Sequence, residues 1–198
     1  MNRQATFATI VKTELNKVKD DALLIGFFKD KASLNIELKK FDSELGNIIS
    51  SCIKSNNFKG EKGEAKNIFV NKTIKNIVLV GLGEENKYSF DVLSAVIADV
   101  SKKLRDNGTE SLSMFMDSFK NNKFKDEELV EKILLSSLIG LYKFIEYKTK
   151  DKEKIKYIKQ ITIVTNSSNN FEKEIRYASI VADAVNRTRD LVNTPPNI

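Results

Sequence analysis

Two spacings of apolar residues alternate along the chain. One is continuous or every second residue; the other is every third or fourth. Phe7 to Val11 mixes Thr with apolar residues and predicts a first strand. The unbroken run Ala22 to Phe28 predicts a strand covered on both faces. Phe41, Leu45, Ile48, Ile49, Cys52 and Ile53 fall near helical spacing and predict a helix from Leu38 to Ser55, although Gly46 lies inside it. Asn67 to Val70 reads as a short strand, and Ile77 to Val80 as a stronger one ended by Gly81-Leu-Gly83. Ser89 is placed to cap a helix with the stripe Leu93, Val96, Ile97, Val100 and Leu104, which Asn107-Gly108 would stop.

Leu112 to Met116 is the next strand candidate. Asp126 opens a helix so apolar, from Leu129 to Tyr142, that it must pack on two sides. Gln160 to Thr165 alternates as a strand. Phe171 to Val192 is the last helix, its stripe of Ile175, Ala178, Ala182 and Val185 small enough for close approach. The order β-β-α-β-β-α-β-α-β-α predicts an α/β domain of three layers, α/β/α. The adjacent early strands predict a mixed sheet.

Composition removes several chemistries. The 198 residues fit one domain, with or without a connector. One Cys excludes an internal disulfide framework and a Cys-based zinc cluster; the absence of His excludes Ser-His-Asp and Cys-His catalysis and any His-ligated metal within the chain. Cys52 sits in an apolar pattern and reads as a small core hydrophobe in a reducing compartment. No signal-peptide core opens the sequence and no apolar run approaches the roughly 18 residues of a membrane span, so a cytoplasmic protein is expected. Lys and Arg exceed Asp and Glu by 33 to 27. The excess is mostly Lys, and Arg occurs only at positions 3, 105, 176, 187 and 189. The densest basic run, Lys148 to Lys156, is interrupted by Asp151 and Glu153 and reads as a solvated connector ahead of a nucleic-acid site.

Few constellations carry chemistry. Gly81-Leu-Gly83 follows a strand, but Asn86 stands where a dinucleotide fingerprint needs its third glycine, and Glu84 and Glu85 would repel a pyrophosphate. A tight strand-to-loop turn is the expectation. The acid groups Asp20-Asp21, Glu84-Glu85 and Asp126-Glu127-Glu128 flank different elements, which disfavours a shared metal site; the third suits the first turn of a helix. In Tyr142 to Tyr147, Tyr142 and Phe144 are expected to finish a core helix while Lys143 and Glu146 face water. The segment from Arg187 to Ile198 drives a helix into Pro195-Pro196, as a stiff connector to a further domain would.

That segment carries a resemblance. Ala182, Asn186, Arg189-Asp190-Leu191-Val192-Asn193-Thr194-Pro195-Pro196-Asn197 is similar to the interdomain connector of the M17 leucyl aminopeptidases, the cytosol aminopeptidases. Val78 to Gly83 resembles the family's strand ending in G-L-G, and Gly140 to Lys150 resembles its G-x-Y-x-F-x-x-Y-K-T segment. The resemblance implies a macro-domain-like N-terminal domain over residues 1–186, a connector over 187–198, and a catalytic C-terminal domain outside this chain. It implies a parent that releases N-terminal residues from peptides at two divalent ions, manganese or zinc, as a cytoplasmic homo-hexamer. The family's signature N-T-D-A-E-G-R-L is absent from these residues, so no catalytic, cofactor-binding or metal residue is expected here. The other reading is a stand-alone macro-like module that binds ADP-ribose, a nucleotide or nucleic acid.

Overall fold

The computed structural model describes residues 6–195, apart from 30, 32–33 and 71. A six-stranded sheet is built from β1 (Phe7–Val11), β2 (Ala22–Phe28), β3 (Ala65–Phe69), β4 (Asn76–Gly83), β5 (Ser111–Phe115) and β6 (Gln160–Val164), in the spatial order β1-β6-β5-β2-β4-β3. All neighbours run parallel except β3, which is antiparallel to β4, with Ala65 opposite Val80 and Phe69 opposite Asn76. The sheet is therefore mixed, as expected, and its antiparallel member is an edge.

Two helical layers cover it. On one face α3 (Phe90–Asn107), α4 (Asp126–Gly140) and α5 (Glu172–Asn193) bury Leu24, Val78, Val80, Leu112, Ile161 and Ile163. On the other, α1 (Ile36–Glu44) and α2 (Ile48–Lys54) bury Leu23, Ile25, Ile77, Leu79, Phe115 and Val164. Odd and even positions of β2 and β4 go to opposite cores, as the pleat requires. Both strands therefore read as unbroken apolar runs. Helix α4 packs against both α3 and α5, which accounts for its all-round apolar character.

Helix ends follow local chemistry. Ser89 Oγ accepts the Val92 N–H at 3.3 Å, and Gly108, at φ 95°, ends α3 in the left-handed conformation. Three expectations shift. The single helix over 38–55 is two helices, because Gly46 and Asn47 both take positive φ, 75° and 62°. Buried Asp42 then caps the second helix from a distance, accepting the N–H of Ile49 at 2.8 Å and of Ser50 at 3.1 Å. The helix expected to reach Tyr142 stops at Gly140, where an added Cβ would meet Ala98 Cα of α3 at 2.7 Å.

The third concerns Gly81-Leu-Gly83. These residues do not turn; they complete β4, and the segment 60–64 folds against them. Gly81 donates to Glu64 O at 2.8 Å, Gly63 donates to Gly81 O at 2.9 Å, and Gly83 donates to Gly60 O at 3.0 Å. A Cβ on Gly81 would lie 1.9 Å from Glu61 O. The first glycine is there for close backbone approach, and Gly83 supplies a positive φ of 75°.

Candidate functional site

In a sheet of this kind ligands bind at the carboxyl ends of the strands, where the strand order reverses. The chain leaves β2 toward β4 and β3 and then returns past β2 to β5 and β6, so the reversal lies between β2 and β5. That junction is filled from within. The turn Met116–Phe119 folds back over β2, and Ser118 Oγ accepts the Gly26 N–H at 2.8 Å. The Phe119 ring occupies the space in front of Gly26, where an added Cβ would sit 2.8 Å from it. Tyr88 donates to Phe119 O at 3.1 Å and locks the turn in place. Burial pushes the Tyr88 phenol far up, so it stays a donor at any physiological pH.

The helix N-termini at this edge carry acids. Glu37 opens α1, Asp91 opens α3, Asp126 to Glu128 open α4, and Glu172 and Glu174 open α5. Each places negative charge in the first turn of a helix, where the helix dipole favours an anion. Burial pushes the Glu37 carboxyl up, and Asp117 and Glu14 add to this against the Asn166 amide, which donates to it. A cavity of about 650 Å³ beside these groups is rimmed by Glu14, Glu37 and Glu44, with Lys40 as its one basic lining residue. The cavity lining thus carries three carboxylates against one ammonium.

The sequence-marked acids do not converge. Asp21 lies at the amino end of β2, where it pairs with Lys75 at 2.7 Å and accepts the N–H groups of Glu110 and Ser111, each at 3.1 Å. Asp20 meets the Ser113 hydroxyl. Glu84 pairs with Lys87, and Glu85 with Lys31. Asp126 pairs with Lys120, Glu127 accepts from Asn169, and Glu128 accepts the Lys125 N–H that opens α4. Among the described residues no group of three or more Asp, Glu, Cys or His side chains is placed to hold a metal ion. Cys52 is half-buried against the α1–α2 core, and burial raises its thiol pKa.

The polar residues of the last helix do converge, on the exposed end of α4. The last carbonyls of a helix have no partner of their own. Here Asn186 Nδ2 donates to Leu138 O at 3.3 Å, Arg189 Nη1 to Ile139 O at 3.1 Å, and Arg105 Nη1 to Leu141 O at 2.9 Å. Tyr142 sits at the centre. The Arg189 guanidinium stacks on its ring at 3.8 Å, Asn193 Nδ2 donates to its hydroxyl at 3.1 Å, and that hydroxyl donates to the buried carboxylate of Asp190. Burial pushes the Tyr142 phenol up and Asp190 adds to this, against Asn193 and Arg189. Asn186, Arg189, Asp190 and Asn193 are among the residues that carried the resemblance. Their geometry makes them a latch between α5 and α4.

Arg105 was not marked by motif. Its signal is one Arg next to the core residue Leu104, and its buried guanidinium is balanced by Asp106 at 2.9 Å. Tyr142 and Phe144 are half-buried outside the helix, whereas Lys143 and Glu146 face solvent as expected. The basic run is dispersed: Lys154 pairs with Asp151, Lys156 donates to Asp106 O, and Lys159 pairs with Glu110. Helix α5 is continuous across Asn186 and Arg187, and the part of the connector at 196–198 lies outside the described residues.

Comparison with known proteins gives this arrangement its family. Residues 24–151 match the model of the cytosol aminopeptidase family, N-terminal domain. The chain belongs to that family. A probable cytosol aminopeptidase of Sulfurihydrogenibium sp. is 33% identical over 191 residues, covering 93% of this chain and 37% of the relative. One from Alkaliphilus metalliredigens is 26% identical over 195 residues, covering 96% and 39%. A mutant of tomato leucine aminopeptidase shares the fold with a TM-score of 0.81 at 19% identity, over 98% of this chain and 39% of that one. The bottromycin maturation enzyme BotP, solved in complex with Mn, matches at a TM-score of 0.63 and 16% identity, over 89% of this chain and 32% of that one. The chain thus spans less than two fifths of the relatives it resembles. Among the described residues no helix is long and apolar enough to cross a membrane.

Proposed function

We propose that this chain is the non-catalytic N-terminal domain of a cytoplasmic leucyl aminopeptidase. The parent removes N-terminal residues from peptides by hydrolysis at two divalent metal ions, manganese or zinc, and assembles as a homo-hexamer. Residues 1–186 form the domain and 187–198 the connector. The observation that carries this reading is the family match at residues 24–151 in a chain covering only 37% of its relative. Among the described residues no group of three or more Asp, Glu, Cys or His side chains is placed to hold the metal pair. The carboxylates at the strand ends are engaged by lysines, amides and backbone N–H groups, which supports assigning the metals, and the chemistry they would supply, to the parent's other domain.

What this chain contributes is position: the latch around Tyr142 fixes the direction in which α5 leaves the sheet. The test is a leucine-anilide assay of the purified 198-residue chain with added Mn²⁺ or Zn²⁺. No metal-dependent turnover is expected, and turnover would overturn the assignment of catalysis to the other domain. A module for ADP-ribose or a nucleotide is the competing reading. Phe119 in the strand junction and the acids at the helix ends argue against it, and calorimetry with ADP-ribose is expected to give no saturable heat.

A further inference from the structure

Helix α5 carries a second apolar face that is left exposed among the described residues. Tyr177, Ile180, Leu191 and Val192 are 52%, 58%, 70% and 80% exposed. They are four of the nine large hydrophobic side chains exposed among the described residues, so the apolar surface is concentrated on this helix. At about 100° per residue, Tyr177, Ile180, Ala184, Thr188 and Leu191 fall within roughly 80° of the helix circumference. Ala178 and Ala182, which are buried, point to the opposite side. Exposure rises toward the end of the helix, away from the sheet-covering stripe.

We infer that this outer stripe of α5 is the seat of the domain that follows in the parent protein; the inference rests on the reading under Proposed function. Two observations select that occupant. The relatives continue for about three fifths of their length beyond the part that this chain matches, and the family model calls the matched part N-terminal. The second is area. From Tyr177 to Leu191 the stripe runs about 21 Å and is about 10 Å wide, so it offers roughly 200 Å². A free dimer needs about 800 Å² from each partner. A second copy of this chain is therefore held too weakly, whereas a domain tethered a few residues away acts at an effective concentration in the millimolar range. Ala184 and Thr188, both small, leave room at the centre of the stripe for a side chain of the incoming domain.

The experiment measures thiol accessibility. In a Cys52→Ser background, Ile180→Cys reports the stripe, Leu191→Cys gives a second report, and Lys39→Cys on α1 is the control across the sheet. Maleimide labelling is timed in the 198-residue chain and in the longer protein that contains it. The stripe cysteines are expected to react at least about tenfold more slowly in the longer protein, with the control unchanged, because labelling then needs local opening. Equal rates in the two forms overturn the docking surface and leave the parent reading intact. A coding region with no further domain overturns the parent reading, and the docking surface with it. Protection in the short chain, with a dimer in sedimentation that Ile180→Glu dissolves, assigns the stripe to a second copy and overturns the inference.

Discussion

Replacing Gly81 by Ala tests the packing reading of the glycine pair. Gly81 does not have a positive φ, so Ala is allowed by the backbone and any cost comes from the neighbours. The new Cβ would lie 1.9 Å from Glu61 O and 2.7 Å from Gly60 C. A carbon and an oxygen cannot approach below about 3 Å without moving, so segment 60–64 must retreat by roughly 1 Å. That movement strains three backbone hydrogen bonds of 2.8 to 3.0 Å, from Gly81 to Glu64, Gly63 to Gly81 and Gly83 to Gly60. At about 1 kcal/mol each they amount to about 3 kcal/mol, against which Ala recovers about 0.5 kcal/mol by restricting the unfolded chain. The expected net loss is about 2–3 kcal/mol, or a melting point lower by about 5–10 °C for a chain of this size. Urea titration gives the energy, and amide exchange localises it to 60–64. A loss below about 0.5 kcal/mol, or faster exchange spread evenly over the sheet, would refute the close-approach argument.

Other substitutions probe the latch and the charges. Arg189→Ala removes the bond to Ile139 O and the stacking on Tyr142, and is expected to cost about 1–2 kcal/mol in urea titration; Tyr142→Phe, which keeps the ring, is expected to cost less. Lys75 holds the Asp21 carboxyl below its ordinary range, with the Glu110 and Ser111 N–H groups helping against burial. Its folded pKa is below its unfolded one, so its stabilisation is complete above about pH 4–5 and is lost as pH falls through the folded value; Asp21→Asn is expected to lower the melting point at pH 6 and to lose that effect toward pH 2. Glu37 has the opposite sign. Burial favours its protonated form, so the ionised group destabilises the fold above the folded pKa. Glu37→Gln is expected to melt higher than the parent at pH 7, with the difference vanishing below about pH 4.

Much of this architecture is legible residue by residue, where a local signal has a local effect. Ser89 and Gly108 bracket α3 because a hydroxyl cap and a left-handed stop act within one turn. Ala22 to Phe28 announces a strand buried on both faces because no polar side chain interrupts it. The failures share a different cause, a partner distant in sequence. Gly46 weakens a helix without showing that it breaks; the break is stabilised by Asp42 reaching forward to Ile49 and Ser50. Gly81 looks like a turn until the 60–64 segment is seen pairing with it. In the latch, Asn186, Arg189, Asp190 and Asn193 stand out as a motif, yet two of their acceptors are the main-chain carbonyls of Leu138 and Ile139, which no side-chain pattern marks. Phe119 reads as one phenylalanine among twelve, and its position in the strand junction depends on Gly26 lacking a side chain.

The two edges of the sheet differ in how they meet another molecule. The β3 edge is interrupted by Lys66 and Asn67, so an incoming strand would have to dehydrate an ammonium and an amide before pairing. The β1 edge presents Phe7, Ala8, Thr9, Ile10 and Val11 without a charge among them, and Phe7 and Val11 are exposed. Short, uncharged and rich in β-branched residues, β1 has the composition of an edge onto which another strand can add. Aggregation on heating is therefore expected to start at β1, and Thr9→Lys, at an exposed position outside both cores, is expected to delay it in a light-scattering melt; an unchanged onset would refute this.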